Sequence, residues 1–111
     1  MCLSIYFRFS ETFGGKIASN VKTSRWLPQN DILGHPKTKL FIGHAGASGV
    51  AEAAYHGVPM ICSPFFGDQF YNARGVEYMG LGEILSVKTT TADQLVEMIN
   101  KVLTEKRYVQ A

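Results

Sequence analysis

The chain has 111 residues, 46% of them hydrophobic, which suffices for one buried core and excludes two full-sized domains. Its 11 basic and 9 acidic residues leave a net charge of +2 with no basic run to track a polyanion, so charge points to no nucleic-acid partner. No stretch reaches the ~20 apolar residues of a membrane span, the apolar start is broken by Ser4 and Arg8 without a small-residue cleavage site, and two distant cysteines, Cys2 and Cys62, suggest no disulfide framework.

In chain order, residues 4–9 (SIYFRF) are aromatic and β-branched and predict a strand, and residues 11–20, with Gly14-Gly15, predict a polar loop. Residues 21–26 predict a second short strand. Pro28 forces an extended bend and residues 31–34 predict one helical turn before His35-Pro36, so this segment is expected to be a connector rather than core. Residues 40–43 predict a buried strand and residues 48–56 a helix, with Val50, Ala53 and Ala54 at i, i+3 and i+4. Gly57-Val58-Pro59 should close that helix, and residues 60–62 the next buried strand, with Cys62 as a small buried thiol. A helix over 69–79 closed by Gly80 and a strand at 83–87 follow. In the last element Thr91 and Gln94 form a capping box, and Leu95, Met98, Ile99, Val102 and Leu103 recur at helical spacing, as for a helix packed on a sheet. This alternation predicts a single α/β domain over 1–111 with a mainly parallel sheet, and there are no internal repeats.

In such a sheet ligands bind at the carboxyl ends of the strands, here the loops 44–47 and 63–68. Gly46 and Gly49 bracket the start of the second helix, where exposed N–H groups and the positive end of the helix dipole favour an anion, phosphate above all, or the glycines serve only close packing, as in many strand-to-helix turns. His44 either donates to that anion or is satisfied by a backbone carbonyl. Ser48 and Glu52 share a helix face; Glu52 either faces solvent or accepts two hydrogen bonds from a vicinal diol. Asp68-Gln69 offers acceptors and donors suited to sugar hydroxyls, or Asp68 caps the next helix. Trp26 is either a stacking platform for a base or part of the core or its rim. Together these residues suggest a nucleotide sugar. No Asp-x-Asp is present and the His and Cys residues lack ligand spacing, so no metal is expected.

The run WLPQNDILGHPKTKLFIGHAGASGVAEAAYHGVPMICSPFFGDQFYNA, residues 26–73, resembles without a gap the signature region of UDP-glycosyltransferases, in particular the animal UDP-glucuronosyltransferase group. Looser similarity continues to about residue 110, and residues 4–9 resemble the strand before the signature. The resemblance implies a partial, Rossmann-like C-terminal half of a GT-B fold that binds the donor. It implies that Trp26 stacks on uracil, Gln29 contacts the uridine, Glu52 holds the ribose hydroxyls, His44 with the turn containing Gly46, Ser48 and Gly49 holds the diphosphate, and Asp68 and Gln69 contact the transferred sugar. Gly43 stands where the family usually has Thr or Ser, Ser48 where many members have Asn, and Ala45 where Gly, Ser or Cys is common.

The resemblance further implies transfer of a hexosyl or glucuronosyl group to the hydroxyl of a small lipophilic acceptor, with UDP-glucuronate or UDP-glucose as co-substrate and no other cofactor. None of His35, His44 and His56 matches the family's catalytic base, which belongs to an N-terminal acceptor domain. The chain is therefore expected to be a fragment, inactive alone. The full-length protein is expected at the lumenal side of the endoplasmic reticulum membrane, in homo- or hetero-oligomers with family members. The alternative is a non-catalytic truncated product that binds nucleotide sugar or associates with partners.

Overall fold

The computed structural model describes residues 5–8, 19–24, 26–105 and 108. The sequence reading of residues 11–18 as loop, and any role for Cys2, lie outside the described residues. Two compact units divide the chain, Met1–Ile32 and Leu33–Ala111.

The first unit contains strands β1 (Ile5–Arg8) and β2 (Val21–Ser24), paired in parallel with Ile5 opposite Val21 and Arg8 opposite Ser24. β2 ends where Ser24 turns back on the chain: its hydroxyl donates to the Trp26 carbonyl at 2.7 Å and accepts from the Trp26 amide at 3.3 Å. Such hydroxyl-to-backbone bonds compete with the ladder and stop a strand. The short helix α1 (Gln29–Leu33) follows Pro28, whose carbonyl accepts from the Ile32 amide.

The second unit is a three-stranded parallel sheet of β3 (Phe41–Gly43), β4 (Met60–Cys62) and β5 (Gly82–Ile84), in the order β3-β4-β5. Helices α2 (Ala47–His56) and α3 (Asp68–Tyr78) supply the crossovers, and α4 (Ala92–Thr104) follows the sheet. β4 is central and wholly buried, and strand pleating sends its residues alternately to two cores. Met60 and Cys62 join Ala45, Ala53, Val58, Ala73 and Val76, from α2, α3 and the segments beside them. Ile61 points the other way, to Val102 of α4 and Tyr108, with Leu40, Leu85, Met98 and Ile99 around them. Full burial of an Ile or Met side chain stabilises by about 1.5–3 kcal/mol, so β4 is the energetic spine of the unit.

The crossovers end alike. The Gly57 and Val58 amides donate to the Ala54 and Ala53 carbonyls, and the Gly80 and Leu81 amides to those of Glu77 and Val76. Both glycines are left-handed, at φ 70° and 72°, which makes two Schellman motifs whose next residue, Val58 or Leu81, is apolar and lies in or against the core. Each turn delivers the chain directly into the next strand. The expected capping box is formed in full: the Gln94 amide donates to Thr91 Oγ1 at 3.1 Å, and the Thr91 amide to Gln94 Oε1 at 2.9 Å.

Some expectations are corrected. Leu33, expected in a connector, is 3% exposed: it is the first residue of the second unit and belongs to that unit's core. β5 stops at Ile84 instead of continuing to Val87: the Ser86 carbonyl accepts from the amides of Thr89 and Thr90 while the Ser86 amide donates to Thr90 Oγ1, which curls the chain away from the sheet. Ala54 and Leu103, on the expected apolar faces, are exposed. Among the described residues no helix is long and apolar enough to cross a membrane.

Candidate functional site at the carboxyl edge of the sheet

All strands of the second unit run in parallel, so the loops leaving β3 and β4 emerge at the same edge. The loop after β3 is tight. Ala45 has a φ of 69° and is 2% exposed, the one left-handed residue other than glycine among the described residues. Holding a side-chain-bearing residue there costs on the order of 1–2 kcal/mol, so the turn's shape is imposed by its surroundings.

Gly46 then caps α2 in extended conformation (φ −65°, ψ 152°), and among the described residues no side chain bonds to the first amides of the helix. The first helical bond is that from the Val50 amide to the Gly46 carbonyl, so the amides of Ala47, Ser48 and Gly49 precede the helix's own ladder. The His44 ring lies over this turn: a β-carbon built on Gly46 would fall 2.6 Å from the ring carbon Cε1 and 3.2 Å from Nδ1. His44 is exposed, and its imidazole makes no hydrogen bond among the described residues, so the carbonyl-satisfied alternative finds no support there. Glycine at 46 is what lets the ring sit against the helix start, where ring N–H and backbone N–H groups can address one anion.

Ser48 is exposed on the first turn of α2, Gly49 follows it, and Glu52 lies one turn further, half-buried and engaged in an interaction of its own. The second loop, after β4, leads to α3. Its cap is Gly67, so Asp68 occupies the first helical position and does not cap the helix. Its carboxylate is exposed and favourably placed for the helix dipole. Gln69 Oε1 accepts from the Phe65 amide at 2.9 Å and the Phe66 amide at 3.2 Å, which shapes the loop and leaves the amide nitrogen as the group Gln69 can offer a ligand.

Sequence reasoning missed Asn72. Its Nδ2 donates to the Ala45 carbonyl at 3.0 Å, fastening α3 to the loop after β3. The signal was its position, three and four residues beyond Gln69 and Asp68 and so on their helix face.

Trp26 and Gln29 belong to the first unit. Trp26 is 68% exposed, which removes the core alternative and leaves the rim and stacking readings. Gln29 opens α1, its amide donating to the Leu27 carbonyl at 2.8 Å, and is half-buried with a further interaction.

Cys62, last in β4, is free and fully buried, and burial pushes its thiol up to about 11. Such a thiol is not a nucleophile at neutral pH. At the opposite edge of the sheet, a depression of about 440 Å³ is lined by residues 53–58, Leu81 and Tyr108. It lies where α2 ends, away from the loops that carry the polar residues.

The chain matches, over residues 2–111, the sequence profile of the family described as UDP-glucoronosyl and UDP-glucosyl transferase. It is 43% identical over 105 residues to mouse (Mus musculus) UDP-glucuronosyltransferase 1A9 and 42% identical to the human (Homo sapiens) UDP-glucuronosyltransferase 1A9, in each case over 95% of this chain and 20% of the relative. The chain thus spans about a fifth of the length of these curated relatives. Among solved structures, a glycotransferase of kitacinnamycin superposes with a TM-score of 0.83 at 25% identity, covering 95% of this chain and 28% of that one. A UDP-glucose:anthocyanidin 3-O-glucosyltransferase in complex with UDP superposes with a TM-score of 0.69 at 34% identity, covering 80% and 20%. With parallel crossovers and a profile matched along nearly its whole length, this chain belongs to the UDP-glucuronosyl and UDP-glucosyl transferase family, and its fold is that of part of a GT-B glycosyltransferase.

Proposed function

We propose that the chain, over 1–111, is the donor-binding portion of a UDP-glycosyltransferase, with its signature in 26–73. The observation that carries this reading is the edge where His44 overlies the uncapped start of α2 while Asp68 and Gln69 open α3 from the adjacent loop. Trp26 stacks on uracil, Gln29 contacts the uridine, Glu52 holds the ribose hydroxyls, and His44 with Gly46, Ser48 and Gly49 holds the diphosphate. Asp68 accepts from sugar hydroxyls, and Gln69 donates through its amide nitrogen, its oxygen being held by the loop.

When an acceptor hydroxyl attacks the anomeric carbon, UDP departs and its diphosphate gains charge. Donors aimed at that charge bind the transition state more strongly than the ground state, and this is the role proposed for His44 and the α2 amides. The co-substrate is UDP-glucuronate or UDP-glucose, the acceptor a small lipophilic alcohol held by an N-terminal domain, and the full-length protein an endoplasmic reticulum membrane enzyme that associates with family members. The catalytic base is assigned to that domain: His35 Nδ1 accepts from the Lys37 amide, and His44 belongs to the diphosphate turn. This last point also favours a second reading, in which the chain alone binds nucleotide sugar or partners without turnover.

Calorimetric or saturation-transfer titration with UDP tests the proposal. Binding is expected, weakened about tenfold or more, at least 1.4 kcal/mol, in each of Trp26→Ala and Glu52→Ala. Absence of UDP binding, or affinity unchanged in both variants, would refute it. Glycosyl transfer by the isolated chain would show that the base assignment is wrong.

A further inference from the structure

The bond from Asn72 to Ala45 acts on a peptide group whose two ends face opposite ways. In a planar trans peptide the carbonyl of one residue and the amide of the next are antiparallel. Fixing the Ala45 carbonyl toward Asn72, at 3.0 Å from Nδ2, therefore fixes the direction of the Gly46 amide, which points away from α3 at the start of α2. Three features make this bond a constraint rather than an ornament. Ala45 holds a left-handed φ that a side-chain-bearing residue avoids unless its environment demands it. Ala45 is also buried in the core that includes Met60 and Cys62, so its methyl group anchors one side of the turn while the carbonyl is held from the other. Gly46 carries the His44 ring directly above it, so a rotation of the Ala45–Gly46 peptide would disturb ring and amide together.

We infer that Asn72 is a positioning residue for the donor's diphosphate: it sets the plane of the Ala45–Gly46 peptide and thereby aims the Gly46 amide, and the His44 ring above it, at the phosphate oxygens. This rests on the donor-site reading above. Asn72 lies one turn after Asp68 and Gln69, so one helix carries both the groups assigned to the sugar and the side chain that shapes the diphosphate turn. Seating of the sugar end and tightness of the diphosphate end then depend on the same placement of α3.

The test compares UDP with uridine, which shares the base and ribose but lacks phosphate. In the 111-residue chain, Asn72→Ala and Asn72→Asp are expected to weaken UDP binding about tenfold, the loss of a well-aimed donor to a charged group, while uridine affinity changes less than about twofold. Asn72→His keeps a ring N–H near the same place and should recover part of the UDP affinity. The Gly46 amide resonance should move on addition of UDP to the wild type and move much less in Asn72→Ala. Melting temperatures identify folded variants, and Asn72→His keeps the comparison alive if the smaller replacement unfolds. Equal weakening of UDP and uridine, or UDP affinity unchanged in folded Asn72→Ala, overturns the inference while leaving the donor site standing. A wild-type chain that binds neither ligand overturns the donor-site reading and this inference with it.

Discussion

At the scale of single residues, the turn 44–46 sets shape against space. Ala45→Val would force a β-branched side chain into a left-handed, buried position and is expected to destabilise the fold by about 2–3 kcal/mol, read as a drop in urea midpoint at unchanged m-value. Gly46→Ala should behave differently. The atoms its new β-carbon would meet belong to the exposed His44 ring, which can swing aside, so the melting temperature should hold within a few degrees while UDP affinity falls. A Gly46→Ala chain that melts far lower would show that the ring is locked in place. Residue types and spacing made this much of the candidate site legible in the sequence: a histidine at a strand end, glycines at a helix start, an acid and an amide at the next loop. What they could not disclose was direction. That Gln69 turns its oxygen into its own loop, or that Asn72 reaches across 27 positions to a carbonyl, depends on tertiary placement, which no local pattern encodes.

At the scale of elements, the strands and helices were legible because their signals are local. Glycine before an apolar residue gave both Schellman ends, and the Thr-x-x-Gln pattern gave the cap of α4. Thr91→Ala removes the side-chain half of that capping box and should cost about 1 kcal/mol in urea unfolding. A loss near zero would mean that α4 is held wholly by Val102 and its neighbours against the sheet. One error came from a core contact that the segment itself does not encode, the other from a local turn that outweighed strand propensity. Leu33 looked like linker because its own segment is short and polar; it is core because, as the first residue of the second unit, it packs with Ala45, Ala53, Met60 and their neighbours. The strand over 83–87 looked longer than it is because Val87 has strand propensity, and the Ser86–Thr90 turn overrides it.

For the molecule as a whole, alkaline pH is the expected weakness. Cys62 deprotonates near 9.0 in an unfolded chain and only at about 11 when buried, so above pH 9 the unfolded state sheds its proton first and stability falls until about pH 11. The loss should approach about 2 kcal/mol. Lys101 acts in the same sense: its hydrogen bond to Glu83, and then that carboxylate's charge, hold its ammonium above the ordinary lysine value. That contribution is present in full below the ordinary value and fades as pH rises through the raised one. Urea midpoints measured from pH 7 to 11 should therefore decline, and Cys62→Ala should flatten the decline between pH 9 and 11; a flat wild-type profile would contradict the burial argument. The same sulfur also makes the molecule its own clock. With no exposed surface, it can be alkylated only when the core that α2 and α3 close over it opens, so in a Cys2→Ser chain the labelling rate is the intrinsic thiol rate multiplied by the fraction of time that core is open.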